Sequence, residues 1–120
     1  MLESSQKRND MQSSAMLNQL GYTPNETLVE QFKKIKSNTL GYEKIEKHIM
    51  DLHDALKPLN SYVAMSNSND FLKIKIDATV PALKEEAYEK IEHFSHKFKV
   101  ELKKVDGKDT FYIVGFSKEL

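Results

Sequence analysis

Between Pro81 and Phe98 the apolar residues Leu83, Ala87, Ile91, Phe94 and Phe98 return at steps of three and four. That is the spacing of one buried stripe on an α-helix. Pro81 suits the first turn, where a missing N–H leaves no hydrogen bond unmade. Glu85 and Glu86 lie toward the positive end of the helix dipole, and His96, Lys97 and Lys99 toward the negative end. Two more stripes precede this one. Thr23-Pro24-Asn25-Glu26 has the form of a capping box, with Thr23 capping the Glu26 amide and Pro24 at the first helical position. Leu28, Phe32 and Ile35 follow, with Val29 at the edge. Tyr42, Ile45, Ile49, Leu52 and Leu56 then define a helix from about Tyr42 to Lys57, which Pro58 ends or kinks. The connection through Ser37 to Gly41 is short, so the two helices form an antiparallel hairpin over 23–57. Glu30–Lys34 and Glu43–Lys47 are spaced for ion pairs on its wet sides.

Strand signals surround the central helix. Phe71 to Ile76 alternates, with Leu72, Ile74 and Ile76 inward. Leu59 to Met65 fits either a short strand or a continued helix. Asp106-Gly107 separates two strand-like runs and predicts a hairpin with a two-residue turn. In that register Val105 pairs with Lys108, Val100 faces Ile113 and Leu102 faces Phe111, which puts all four apolar residues of the last two pairs on one side. Tyr112, Val114 and Phe116, together with Phe71, fall on the other side beside Lys73, Lys75, Lys99, Glu101 and Lys103. The expected fold is α+β: the hairpin, then a three-stranded sheet (four if Leu59–Met65 pairs) with one packing helix in the order β-α-β-β. One domain spans 21–120, with its sheet/helix unit over 60–117. Residues 1–20 are rich in Ser, Gln and Asn and read as a flexible tail. A thin stripe of Met11, Ala15 and Leu17 or Leu20, with Met16 beside it, gives the alternative of a partner-binding helix.

Charge narrows the function classes. Lys+Arg and Asp+Glu number 18 each, so no net field favours nucleic acid, a membrane surface or an acidic substrate. Without cysteine there is no disulfide, thiolate chemistry or Cys-based metal site. No window approaches the roughly 20 apolar residues that cross a bilayer, and the first residues lack the apolar core of a signal peptide. A soluble, cytoplasmic protein with no membrane partner is expected. Glu89, His93 and His96 fall within about 60° of one another on the helix, but on the arc away from the apolar stripe, as a solvated face would. His48, Asp51, His53 and Asp54 form a second cluster, in which the histidines sit at opposite edges of the Ile49/Leu52 stripe. No nucleophile elbow, phosphate-cradling glycine loop or convergent carboxylate pair is present, so no enzyme, cofactor or metal is expected.

Seven residues remain as candidates for partner contact: Met11, Met16, Leu20, Phe71, Tyr112, Val114 and Phe116. The aromatic and lysine-bearing sheet face calls for cover by protein, either the helical hairpin or a second copy. An RNA-binding module using the same face is the alternative, because bases stack on exposed sheet aromatics. FYIVGF lacks the full ribonucleoprotein signature, however, and Glu101 interrupts the basic field.

The stretches GYTPNETLVEQFKKI, GYEKIEKHIMDLHDALKP and FKVELKKVDGKDTFYIVGF give a helical hairpin followed by strands and a packing helix. In this the chain resembles small helix-rich companion proteins of bacterial flagellar assembly, which bind the flagellin export chaperone and act as co-chaperones. The resemblance implies a non-catalytic, chaperone-type adaptor whose partner is a flagellar export chaperone. It transfers no binding residue and leaves a homo-oligomer open.

Overall fold

The computed structural model describes residues 2–120. Its helices are α1 (Leu2–Gln19), α2 (Glu26–Asn38), α3 (Tyr42–Leu56) and α4 (Pro81–Phe98). Its strands are β1 (Ser61–Met65), β2 (Leu72–Ile76), β3 (Val100–Lys104) and β4 (Thr110–Phe116). The fold is α+β, with one four-stranded sheet in the order β1-β2-β4-β3 and every neighbouring pair antiparallel. Because β4 lies between β2 and β3, the α4 crossover joins two strands that do not touch. Helix α3 packs on β1 and β4, and α4 packs on β3. Phe32, Ile35, Ile45, Ile49, Val63, Ile74, Ile91, Val100 and Ile113 are fully buried between the helices and one face of the sheet.

Leu59–Met65 resolves into two elements. A 3₁₀ turn (Lys57–Leu59) extends α3 through Pro58, and Asn60 at φ 52° turns the chain into β1. Helix α2 starts two residues later than a cap at Thr23 would place it. Asn25 is the N-cap, its Oδ1 accepting from the Leu28 amide at 2.9 Å, and Asn is among the best residues for that role. Thr23 and Pro24 therefore precede the helix. The surface pairs also choose other partners at equivalent spacings: Lys33 meets Glu30 at 3.5 Å and Lys47 meets Asp51 at 3.6 Å.

The first twenty residues differ more. Rather than a flexible tail, 2–19 form α1, and Ser13, Leu17 and Leu20 are buried. The Lys36 ammonium donates to Ser13 Oγ at 3.2 Å. Leu17 of α1 and Leu20 in the turn that follows it complete the apolar floor left by α2 and α3. Met1 lies outside the described residues.

The last hairpin keeps its faces but shifts its register. Val105 donates to Thr110 at 2.9 Å, and Leu102 pairs with Ile113, so Asp106–Asp109 form a four-residue loop. Gly107 takes φ 73°, as the tight turn demands. Asp109 explains the longer loop. Its carbonyl accepts from the Ile76 amide at 2.9 Å, and its carboxylate meets Lys84 of α4 at 2.7 Å and also accepts from Tyr88. A shift of two preserves side-chain parity, so Val100, Leu102, Phe111 and Ile113 still share the core face.

Beyond Ile113 the parity changes. Leu102 pairs with Ile113 but Glu101 with Gly115, leaving Val114 as the extra residue of a β-bulge. The bulge accommodates the α2–α3 connection: Phe116 donates to the Leu40 carbonyl at 2.7 Å. A Cβ on Gly115 would lie 2.6 Å from that same oxygen, and its φ of 150° also favours glycine.

The two sheet edges are finished differently. The outward amides of β1 meet side chains: Val63 donates to His53 Nδ1 and Met65 to the Tyr22 hydroxyl, each at 3.0 Å. On β3, Val105 points its amide at β4, and antiparallel alternation turns the amides of Leu102 and Lys104 outward.

Candidate functional site

The sheet face opposite the helices is built from two cross-strand rows. Ala64, Lys73, Tyr112 and Lys103 are successive partners across all four strands. Tyr62, Lys75 and Thr110 form the next row. Phe71, just before β2, adds its ring 6.4 Å from that of Tyr112. Tyr62, Phe71, Tyr112 and Val114 are half-exposed and stand outside the core cluster. The helical hairpin expected to cover this face lies on the other side of the sheet, so no second layer covers the face among the described residues.

Its charges are unevenly engaged. Lys75 meets Asp77 at 3.8 Å, whereas Lys73 and Lys103 form no ion pair among the described residues. Tyr112 sits between them in the row. Its hydroxyl lies 3.4 Å from Ser68 Oγ. Hydrogen bonding to Ser68, and next to Ser66, holds the phenol below its ordinary pKa.

The structure gathers only part of the set expected from sequence. Phe71, Tyr112 and Val114 lie together on or beside the open face. Phe116 does not, because the bulge returns it to the core side, under the Lys44 ammonium 4.9 Å from its ring centre. Lys99 is also absent from the face. It caps α4 at φ 59° and donates to the Leu120 carbonyl. Met16 packs against the core, with its sulfur accepting from the Tyr42 hydroxyl at 3.6 Å, and Leu20 is buried. Met11 alone of the N-terminal candidates is open, at 73% exposure. Tyr62 was missed, although the alternation of Tyr62 and Ala64 against Val63 and Met65 carries its signal once β1 is a strand.

Glu89, His93 and His96 are exposed, as a solvated helix face should be. Glu89 and His93 also line a groove of about 440 Å³ between α3 and α4, floored by Leu52, Ala55, Phe94 and Phe98. His48 closes part of it, stacked on Phe98 with ring centres 3.6 Å apart. No group of three metal-binding side chains converges among the described residues. His53 is not at a boundary. It is 2% exposed, Nδ1 takes the Val63 amide, and the buried Nε2 makes no hydrogen bond of good geometry among the described residues, the Gln19 backbone acting on the ring only weakly. Burial first, and then Lys57, holds its pKa below the ordinary imidazole value, against Asp54 and the Gln19 backbone. No described helix is long and apolar enough to cross a membrane. Compared with known proteins, the chain matches no family model, no curated protein and no solved structure.

Proposed function

We propose that this protein is a non-catalytic protein-binding module that docks its partner on the open face of the sheet. The observation that carries this reading is the missing layer: Tyr62, Phe71, Tyr112 and Val114 stand half-exposed on a sheet whose helices all lie on the other side. An antiparallel sheet commonly leaves one face to solvent as a polar surface, but this face carries three half-exposed aromatic rings, Tyr62, Phe71 and Tyr112, and interface aromatics contribute more than about 1 kcal/mol each when they anchor a partner. The concrete form we favour is an adaptor or co-chaperone of the kind the flagellar resemblance suggests, working in the cytoplasm. The same face offers RNA a ring to stack on, but Glu101 beside Lys103 and Asp77 beside Lys75 break any continuous track for phosphates.

A photo-crosslinking amino acid placed at Tyr112, and in a control protein at exposed Glu92 on α4, tests the face in native extract. The proposal expects one nuclease-insensitive protein adduct from position 112 and none from 92. Crosslinks only to RNA, or equal adducts from both positions, would overturn it.

A further inference from the structure

The open face also indicates the shape and charge of what covers it. Lys73 and Lys103 flank Tyr112 in one cross-strand row, and neither ammonium is paired within the described chain. They stand two strand spacings apart, roughly 10 Å. Seven residues of α-helix rise by about 10.5 Å. A helix crossing the strands along this row would therefore set acidic residues at i and i+7 over the two lysines. Its residues at i+3 and i+4 would then lie on Tyr112, with Phe71 at one side. Extended peptide fits less well, since residues on one face of a strand recur every 6.5–7 Å or so and miss the 10 Å step.

We infer that the occupant of the open face is an amphipathic partner helix with acidic residues one heptad apart bracketing an apolar pair, completing a helix–sheet–helix sandwich. This deepens the protein-binding proposal and rests on it. The chain's own α4 does not meet the specification. Its exposed Glu85 and Glu92 are seven apart, but they bracket Tyr88 and Glu89 rather than an apolar pair. That helix of a second copy is thus disfavoured as the occupant.

The test uses a fluorescein-labelled, alanine-rich helical peptide of about 20 residues, with glutamates seven apart bracketing leucine pairs. The same peptide with glutamines is the control, and an oligouridylate of similar length is the nucleic-acid arm. Fluorescence anisotropy should show the glutamate peptide binding the full chain more tightly than the glutamine peptide. Lys73→Glu and Lys103→Glu should each weaken binding by about fivefold or more, as exposed charge pairs allow. The doubly reversed protein should prefer a peptide carrying lysine at the two glutamate positions, an outcome that general unfolding cannot mimic. Equal binding of glutamate and glutamine peptides, or no response to charge reversal, would overturn the helix specification. If position 112 still crosslinks a protein, the broader proposal would survive that result. Tighter, steeply salt-dependent binding of the oligouridylate would overturn both. Self-association lost on Tyr112→Ala would replace the partner helix with a second copy.

Discussion

The two edges of this sheet face the same problem and meet it in opposite ways. Any edge strand presents unpaired N–H and C=O groups that can recruit another chain. On β1 the outward amides are satisfied internally, Val63 by His53 and Met65 by Tyr22, and the acceptors come from α3 and the α1–α2 connection. On β3 the outward amides of Leu102 and Lys104 are left to water, and Glu101, Lys103 and Lys104 stand exposed around them. One edge is closed by a buried histidine and a half-buried tyrosine, and the other is guarded by charge. Closing an edge with a histidine couples it to protonation. It follows that β1 should be the edge whose perturbation destabilises the fold, while β3 should respond in association rather than stability.

The largest expected effect is at His53. Replacing it with alanine orphans the buried Val63 amide, at about 1–3 kcal/mol, and removes an almost fully buried ring. A total loss of roughly 2–4 kcal/mol should appear in urea unfolding. A cost below about 0.5 kcal/mol would show that the bond does not hold the edge.

Protonation should reproduce part of that loss. The folded-state pKa of His53 is lowered, so the unfolded state binds the proton more tightly. The stability it contributes is fully present above the unfolded value of about 6.5, and it falls as pH drops toward the folded value. The Glu46 carboxyl is raised, chiefly by burial and against Lys36, and acts in the opposite sense at lower pH. Comparison with His53→Gln cancels that contribution. Between pH 7.5 and 5.5 the native protein should lose more stability than the glutamine variant, and parallel losses would exclude His53 as the titrating latch.

Tyr22→Phe should cost less, about 1 kcal/mol, because it removes one half-buried hydroxyl acceptor and keeps the ring. Amide exchange should localise the change to Met65. Faster exchange throughout the sheet, with no excess at Met65, would mean that the phenol supports the core generally.

How much of this contrast was legible in the sequence depends on its range. The stripes of α3 and α4 were readable because 3.6-residue periodicity is written locally, and so was the core face of β4 up to Ile113. The hairpin register was not. Asp-Gly favours a two-residue turn, but Asp109 is claimed by Lys84 and Tyr88 from a helix twenty residues earlier, and no local pattern records that. Nor did the bulge at Val114 announce itself, which is why Phe116 was expected on the wrong face. Gly115 was the available sign, readable as a close approach but silent about Leu40 as its cause. The open face was half visible: Tyr112 and Phe71 could be placed by alternation, whereas Tyr62 depended on deciding that Leu59–Met65 pairs. His53 is the clearest limit. Its position at the edge of an apolar stripe suggested a boundary residue, and only the packing of β1 against α3 shows that its ring replaces a missing strand.

The smallest stability effect, and the sharpest contrast, belongs to β3. Replacing Glu101 and Lys103 together by valine removes two exposed charges from a strand whose amides already face water. Surface changes of this kind usually fall within about 0.5 kcal/mol, and valine's preference for strands offsets part of any loss. The urea midpoint should therefore barely move. What should change is behaviour at high concentration. With its charges gone, the edge presents a flat apolar run from Val100 to Val105 broken only by Lys104, and unprotected edges pair with one another. Sedimentation velocity should show larger species growing with concentration in the variant, beyond anything seen for the native chain. The lysine of the binding row is altered as well, so a companion protein with Glu101→Val alone separates the two effects: it keeps Lys103 for partner contact and loses half the guard. Intermediate self-association in the single variant supports charge as the barrier. If both variants sediment like the native chain, charge is not what keeps β3 unpaired, and the difference between the edges reduces to the buried bonds of β1.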